Sequence, residues 1–88
     1  MKIVLDHGYG CYGVIYTLPE KIREFLLSRL NNRSDSELIS FVENHPENCD
    51  FLHIVEIPDN VNDWRIFSGE GGIEIVIYVV DNKLYSKS

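Results

Sequence analysis

The sequence predicts an α+β domain: a mainly antiparallel sheet of four or five strands with two helices packed on one face. Three observations carry that expectation. Residues 73–80, Ile-Glu-Ile-Val-Ile-Tyr-Val-Val, are apolar and rich in β-branched side chains, which predicts a central strand covered on both faces. Two stretches, at 18–31 and 34–44, repeat apolar residues at helical spacing beside Ser/Thr-x-x-Glu signatures. Shorter apolar runs at 2–5, 51–57, 64–67 and 83–85 are punctuated by Gly, Pro, Asp and Asn, as strands joined by turns are.

The run at 73–80 is far shorter than the roughly 20 residues that a bilayer-spanning helix needs, and it lacks the Ala, Leu and Met of a buried helix. Alternation puts Ile73, Ile75, Ile77 and Val79 on one side and Glu74, Val76, Tyr78 and Val80 on the other. Glu74, the one charge in the run, predicts solvent against the second face at that end. Residues 2–5 read as a first strand and 6–13 as a loop rich in glycine, with 14–16 briefly extended. Thr17-Leu18-Pro19-Glu20 resembles a capping box, with Thr17 as N-cap and Glu20 reaching back. Behind it Leu18, Ile22, Phe25, Leu26 and Leu30 share a helical face to about Asn31. Ser34-Asp35-Ser36-Glu37 repeats the signature before Leu38, Phe41 and Val42, and this second helix runs to about Asn44, with Pro46 barring its continuation. The strand at 51–57 ends at Pro58 and is expected to pair with the first strand or with that at 73–80. Residues 68–72 read as a flexible link, Asp81-Asn82 as a tight turn, and 83–85 as an edge strand guarded by Lys83 and Lys87, with the last few residues disordered.

A chain of 88 residues makes one domain, and 44% hydrophobic with 25% charged residues is the balance of a globular protein. No run is long enough for a signal peptide or a membrane span, so a cytoplasmic protein is expected. Cys11 and Cys49 without a secretion signal are expected to be free thiols. The net charge of −6 is uneven: residues 1–34 carry five bases against three acids, whereas residues 35–81 carry eleven acids against Arg65 alone. That field disfavours phosphate backbones, so no nucleic acid and no membrane is expected as partner, and a protein with a basic surface fits better. Solubilising surface charge accounts for the same pattern.

Candidate chemistry is sparse. His7 and Cys11, then His45 and Cys49, are each four apart, with His53 at the same interval again; two such pairs brought together would offer zinc four ligands, although the spacing matches no common zinc pattern. Scattered loop and core residues would look the same, and no cofactor is expected. A small hydrolase would use Cys11 as nucleophile with His7 or His53 as base, or Asp6 with His7, but no orienting third group is evident. The Gly-rich stretch at 68–72 lacks the lysine and helix of a phosphate loop. Tyr9, Tyr12 and Tyr16 around the glycine loop offer amphipathic rings for binding, or else fold inward as core. Tyr12, Tyr16, Trp64 and Arg65 would together suit a nucleotide-like ligand.

Two stretches resemble a family of short phage and prophage proteins that begin Lys-Ile-Val-Ile-Asn, continue through Cys-Tyr-Gly-Gly-Phe-Ser-Leu-Ser into a helix, and later carry Ile-Val-Glu-Ile-Pro-Asp-Asp-Val followed by Asp-Trp or Asp-Tyr. Here Lys2-Ile3-Val4-Leu5-Asp6 is similar to the opening, Cys11-Tyr12-Gly13 and Tyr16-Thr17-Leu18 to the middle, and Ile54-Val55-Glu56-Ile57-Pro58-Asp59-Asn60-Val61 with Asp63-Trp64 to the last. Val14-Ile15 stands where the family has its second glycine. The resemblance implies a phage origin and a life in the host cytoplasm, and it brings no catalytic residue. The leading expectation is therefore a non-enzymatic phage accessory protein that binds a host protein, in takeover or counter-defence, through the Tyr-Gly loop or the acidic surface. A small-ligand module and a hydrolase stand behind it. An edge strand at Leu84 would also suit a homodimer.

Overall fold

The computed structural model describes residues 1–8 and 10–88, and for residues 11 and 12 the backbone alone. In chain order it runs β1 (Lys2–Asp6), α1 (Cys11–Ile15), α2 (Glu20–Arg29), α3 (Ser36–Asn44), β2 (Leu52–Glu56), β3 (Asp63–Ser68), a 3₁₀ turn at Glu70–Gly72, β4 (Glu74–Val80) and β5 (Lys83–Lys87). The fold is α+β, and every strand pairing among the described residues is antiparallel. The five strands form two sheets rather than one: β1 pairs with β2, Lys2 opposite Glu56, while β3, β4 and β5 form a meander with Trp64 opposite Tyr78 and Val80 opposite Lys83. The sheets meet at a corner where His7 bridges Ile73.

β1 separates two cores, because alternate side chains along a strand point to opposite faces. Val4, with Leu52 and Ile54 of β2, packs against Ile15, Leu26, Leu30, Leu38 and Val42 of the helices, together with Cys49 and Phe51. Ile3 and Leu5, with Val55 and Ile57, turn the other way onto Val76, Trp64, Ile66 and Tyr78. At about 1.5–3 kcal/mol for each aliphatic side chain fully buried, these two clusters supply the main driving force of folding. The layers therefore run helices, β1–β2 sheet, β3–β4–β5 sheet, with α2 and α3 on one face of the first sheet.

This layering corrects the reading of β4. Its first-side residues are not covered: Ile75, Ile77 and Val79 are only half-buried, and Ile73 just before them is 51% exposed. Both long helices are taken up by β1–β2, which leaves no helix among the described residues to cross the far face of the second sheet. The face of β4 that is buried is the one carrying Glu74, which is 7% exposed rather than opening to solvent.

Local chemistry accounts for the remaining differences. The loop at 6–13 gives way to the single helical turn α1, entered through Gly10 at φ +70°. Thr17 does not cap α2; its hydroxyl donates back to the Val14 carbonyl at 2.6 Å, and the helix begins after Pro19, whose fixed φ already suits a helix start. In α3 the cap is Asp35, not Ser34, with Oδ1 accepting from the Glu37 and Leu38 amides at 2.9 and 3.0 Å. Of the two pairings open to β2, the one made is with β1. The tight turn between β4 and β5 has Asp81 and Asn82 both left-handed (φ 51° and 63°), the signature of a two-residue hairpin. The residues expected to be disordered extend β5 to Lys87.

Candidate functional site

Two regions stand out once the layers are in place. The first is the outer face of the β3–β4–β5 sheet. The register sets Phe67 opposite Ile75, Arg65 opposite Ile77, Asp63 opposite Val79, and then Leu84 opposite Val79 and Ser86 opposite Ile77. A central apolar row from Ile73 to Val79 is thus flanked by Phe67 on one side and Leu84 on the other, and Phe67 and Leu84 are 49% and 72% exposed. Arg65 and Asp63 sit at the β3 rim as a loose ion pair, 3.7 Å apart with both side chains well exposed. A contiguous apolar surface with a charged rim has the anatomy of a protein interface.

The second region is the corner between the sheets. Arg33 reaches across from the α2–α3 connection and forks onto Glu74, Nη1 to Oε1 at 2.6 Å and Nη2 to Oε2 at 2.9 Å, while its Nε and Nη1 also donate to the Leu30 and Val4 carbonyls. Glu74 Oε1 accepts from the Asp6 amide at 2.6 Å as well. One buried carboxylate therefore ties β1, β4 and the interhelical connection together, a geometry that only the planar guanidinium of Arg allows. Beside it, a cleft of about 230 Å³ is lined by Asp6, Arg33, Glu74 and Ser68 with three glycines. The charged groups on its floor are bonded to one another or to backbone, so the cleft reads as a consequence of the joint. His7 and His53 stack at the same corner, ring centroids 4.1 Å apart.

His53 carries a testable consequence. Burial first, and the neighbouring His7 second, lower its pKa below the ordinary 6.5, against smaller opposing pulls from the Leu5 carbonyl, Asp6 and Glu74. Its Nδ1 is buried and finds no hydrogen-bond partner among the described residues. The unfolded imidazole therefore takes up a proton at higher pH than the folded one, so this group stabilises the fold above about pH 6.5 and the contribution drains away as the pH falls below that value. The urea midpoint is expected to fall between about pH 7.5 and about pH 5.5, and to fall less in a His53→Gln variant. A variant as steep as the parent would show that His53 is not responsible.

The residues singled out from sequence do not gather in one place. Tyr9 and the side chains of Cys11 and Tyr12 lie outside the described residues. Tyr16 follows α1 as its C-cap and is exposed. Trp64 is half-buried between the sheets, whereas its neighbour Arg65 points to the opposite, outer face. His45 stacks on Phe41 at the end of α3 and shares a hydrogen bond with the Phe41 carbonyl at 3.0 Å. Cys49 is a free thiol buried in the helical core, its pKa pushed up to about 11 by burial and by Glu47 and Asp50, which leaves it protonated and a poor nucleophile or metal ligand at neutral pH. Among the described residues no three His, Cys, Asp or Glu side chains are placed to hold a metal ion. No helix among the described residues is long and apolar enough to cross a membrane.

What the sequence reading missed is the partnership of Arg33 with Glu74 and the openness of the Phe67–Ile75–Leu84 face. A lone acid inside an apolar strand was the available signal for the first. In comparisons with known proteins, no family model, no curated protein and no solved structure matches this chain.

Proposed function

We propose that this protein is a non-catalytic binding module that docks another polypeptide on the outer face of its β3–β4–β5 sheet. One observation carries the reading: β4 is apolar at every position after Glu74, yet among the described residues only one of its faces is covered, and the other row is continued by the exposed Phe67 and Leu84. Apolar surface on this scale is costly in water unless something sits on it. The similarity of the Cys11-Tyr12-Gly13 and Ile54-to-Val61 stretches to short phage proteins supports work inside a host cell, and the eleven acids between residues 35 and 81 favour a basic host protein in the wider encounter.

A photo-crosslinking residue placed at Ile77, in the centre of the face, tests this against the same residue placed at Ser40, exposed on α3. A discrete protein adduct from position 77 and none from position 40 is the expected outcome. Adducts from position 40 alone, or from neither, would overturn the reading.

A further inference from the structure

We infer that the occupant of the outer sheet face is a second copy of this chain, the two sheets packing face to face about a two-fold axis. This rests on the reading of that face as a protein interface and names what lies on it.

Charge is the first argument. The chain carries −6 overall, yet the face is close to neutral: Phe67, Ile73, Ile75, Ile77, Val79, Leu84 and Ser86 carry nothing, and Asp63 and Arg65 cancel. A basic partner gains no Coulomb energy here. A surface with one acid and one base at its rim is instead complementary to its own image, because an isologous interface repeats every contact twice and lets Arg65 of each copy meet Asp63 of the other. The intrachain pair, at 3.7 Å and well exposed, leaves both groups room for that exchange. The acids Asp35, Glu37, Glu43, Glu47 and Asp50 lie on or beside α3, in the layer farthest from this face. Two like-charged chains meeting here therefore keep those acids apart, beyond the screening length of roughly 10 Å at moderate salt.

Shape agrees, and area limits the strength. Sheets stack about 10 Å apart with strands within about 30° of each other, and rows of Ile and Val side chains interdigitate well in that geometry. Three strands of five, six and seven residues present a plane of roughly 14 by 20 Å, about 280 Å² per copy before side-chain relief is counted. Counted on both copies this falls well short of the roughly 1,200 Å² at which stable interfaces begin, so the pair is a weak one that separates on dilution.

Sedimentation equilibrium of the full chain over a wide concentration range tests this, with Ile77→Lys and Phe67→Glu as variants. The parent's mass is expected to climb from 10.2 kDa toward twice that value. Both variants should associate at least about tenfold more weakly, as loss of a central anchor does, while keeping the parent's circular dichroism and melting temperature. A parent that stays at 10.2 kDa throughout overturns the inference. If position 77 still crosslinks to a different protein, the interface reading stands and only its occupant changes. Self-association unaltered in both variants would place the contact elsewhere, for instance at the β5 edge, and would also overturn it.

Discussion

Replacing Glu74 by glutamine is expected to destabilise the protein by about 3 kcal/mol, because it removes the buried carboxylate charge onto which the part-buried Arg33 forks. The amide oxygen can still accept one hydrogen bond, which keeps the loss at the lower end of what broken buried pairs show. For a domain with about 5–15 kcal/mol in hand, that is a large fraction of the whole. The pair itself contributes less than its breakage suggests, since both ions lose hydration on folding. A double change, Arg33→Met with Glu74→Leu, should therefore recover more than half of the loss. Urea unfolding of the parent, of Glu74→Gln and of the double variant decides it. A single-variant loss below about 1 kcal/mol would mean that the joint is solvated and the reading of the corner is mistaken.

Gly8→Ala should cost about 2–4 kcal/mol for two independent reasons. Gly8 sits at φ +100°, where an L side chain is strained, and a Cβ there would meet Ile73 Cγ1 at 2.6 Å and the Gly71 carbonyl oxygen at 3.2 Å. The bridge to His7 fixes the Ile73 backbone at the corner between the sheets, so relief requires the isoleucine side chain to leave its rotamer. Gly13→Ala is the matched control: it lies in α1 with open space around the added methyl. It is expected to be neutral or to stabilise by up to about 1 kcal/mol. Thermal melts of the two variants, run side by side, separate the effects. Equal shifts in both would remove the case for a tight corner.

These positions show how far the sequence could be read. The helices were legible from their apolar spacing, and the turn at Asp81-Asn82 from residues that tolerate a left-handed backbone, because both signals are local. The strands were legible as segments, but their division into two sheets was not. That depends on which face of β1 the helices claim, and Ile3, Val4 and Leu5 are equally apolar on both faces. The same ambiguity hid the open face. Ile75 and Ile77 carry no mark that distinguishes a row facing a helix from a row left in water. Glu74 did carry such a mark, but its partner lies 41 positions away in a polar stretch that looked like an ordinary break. The cap of α3 shifted by one residue for a local reason: Asp35, with its charge at the positive end of the helix, takes the Glu37 and Leu38 amides, while the Ser34 hydroxyl donates to Asn32 Oδ1.

The placement of β1 also bears on how the polypeptide matures. It is synthesised before its partners, so Lys2 waits for Glu56, and Ile3 and Leu5 wait for Val76. Until those later segments are synthesised, a greasy strand is held open with no mate. Contacts this distant along the chain slow acquisition of the native state and leave intermediates open to aggregation, a consequence of where one five-residue strand finds its partners.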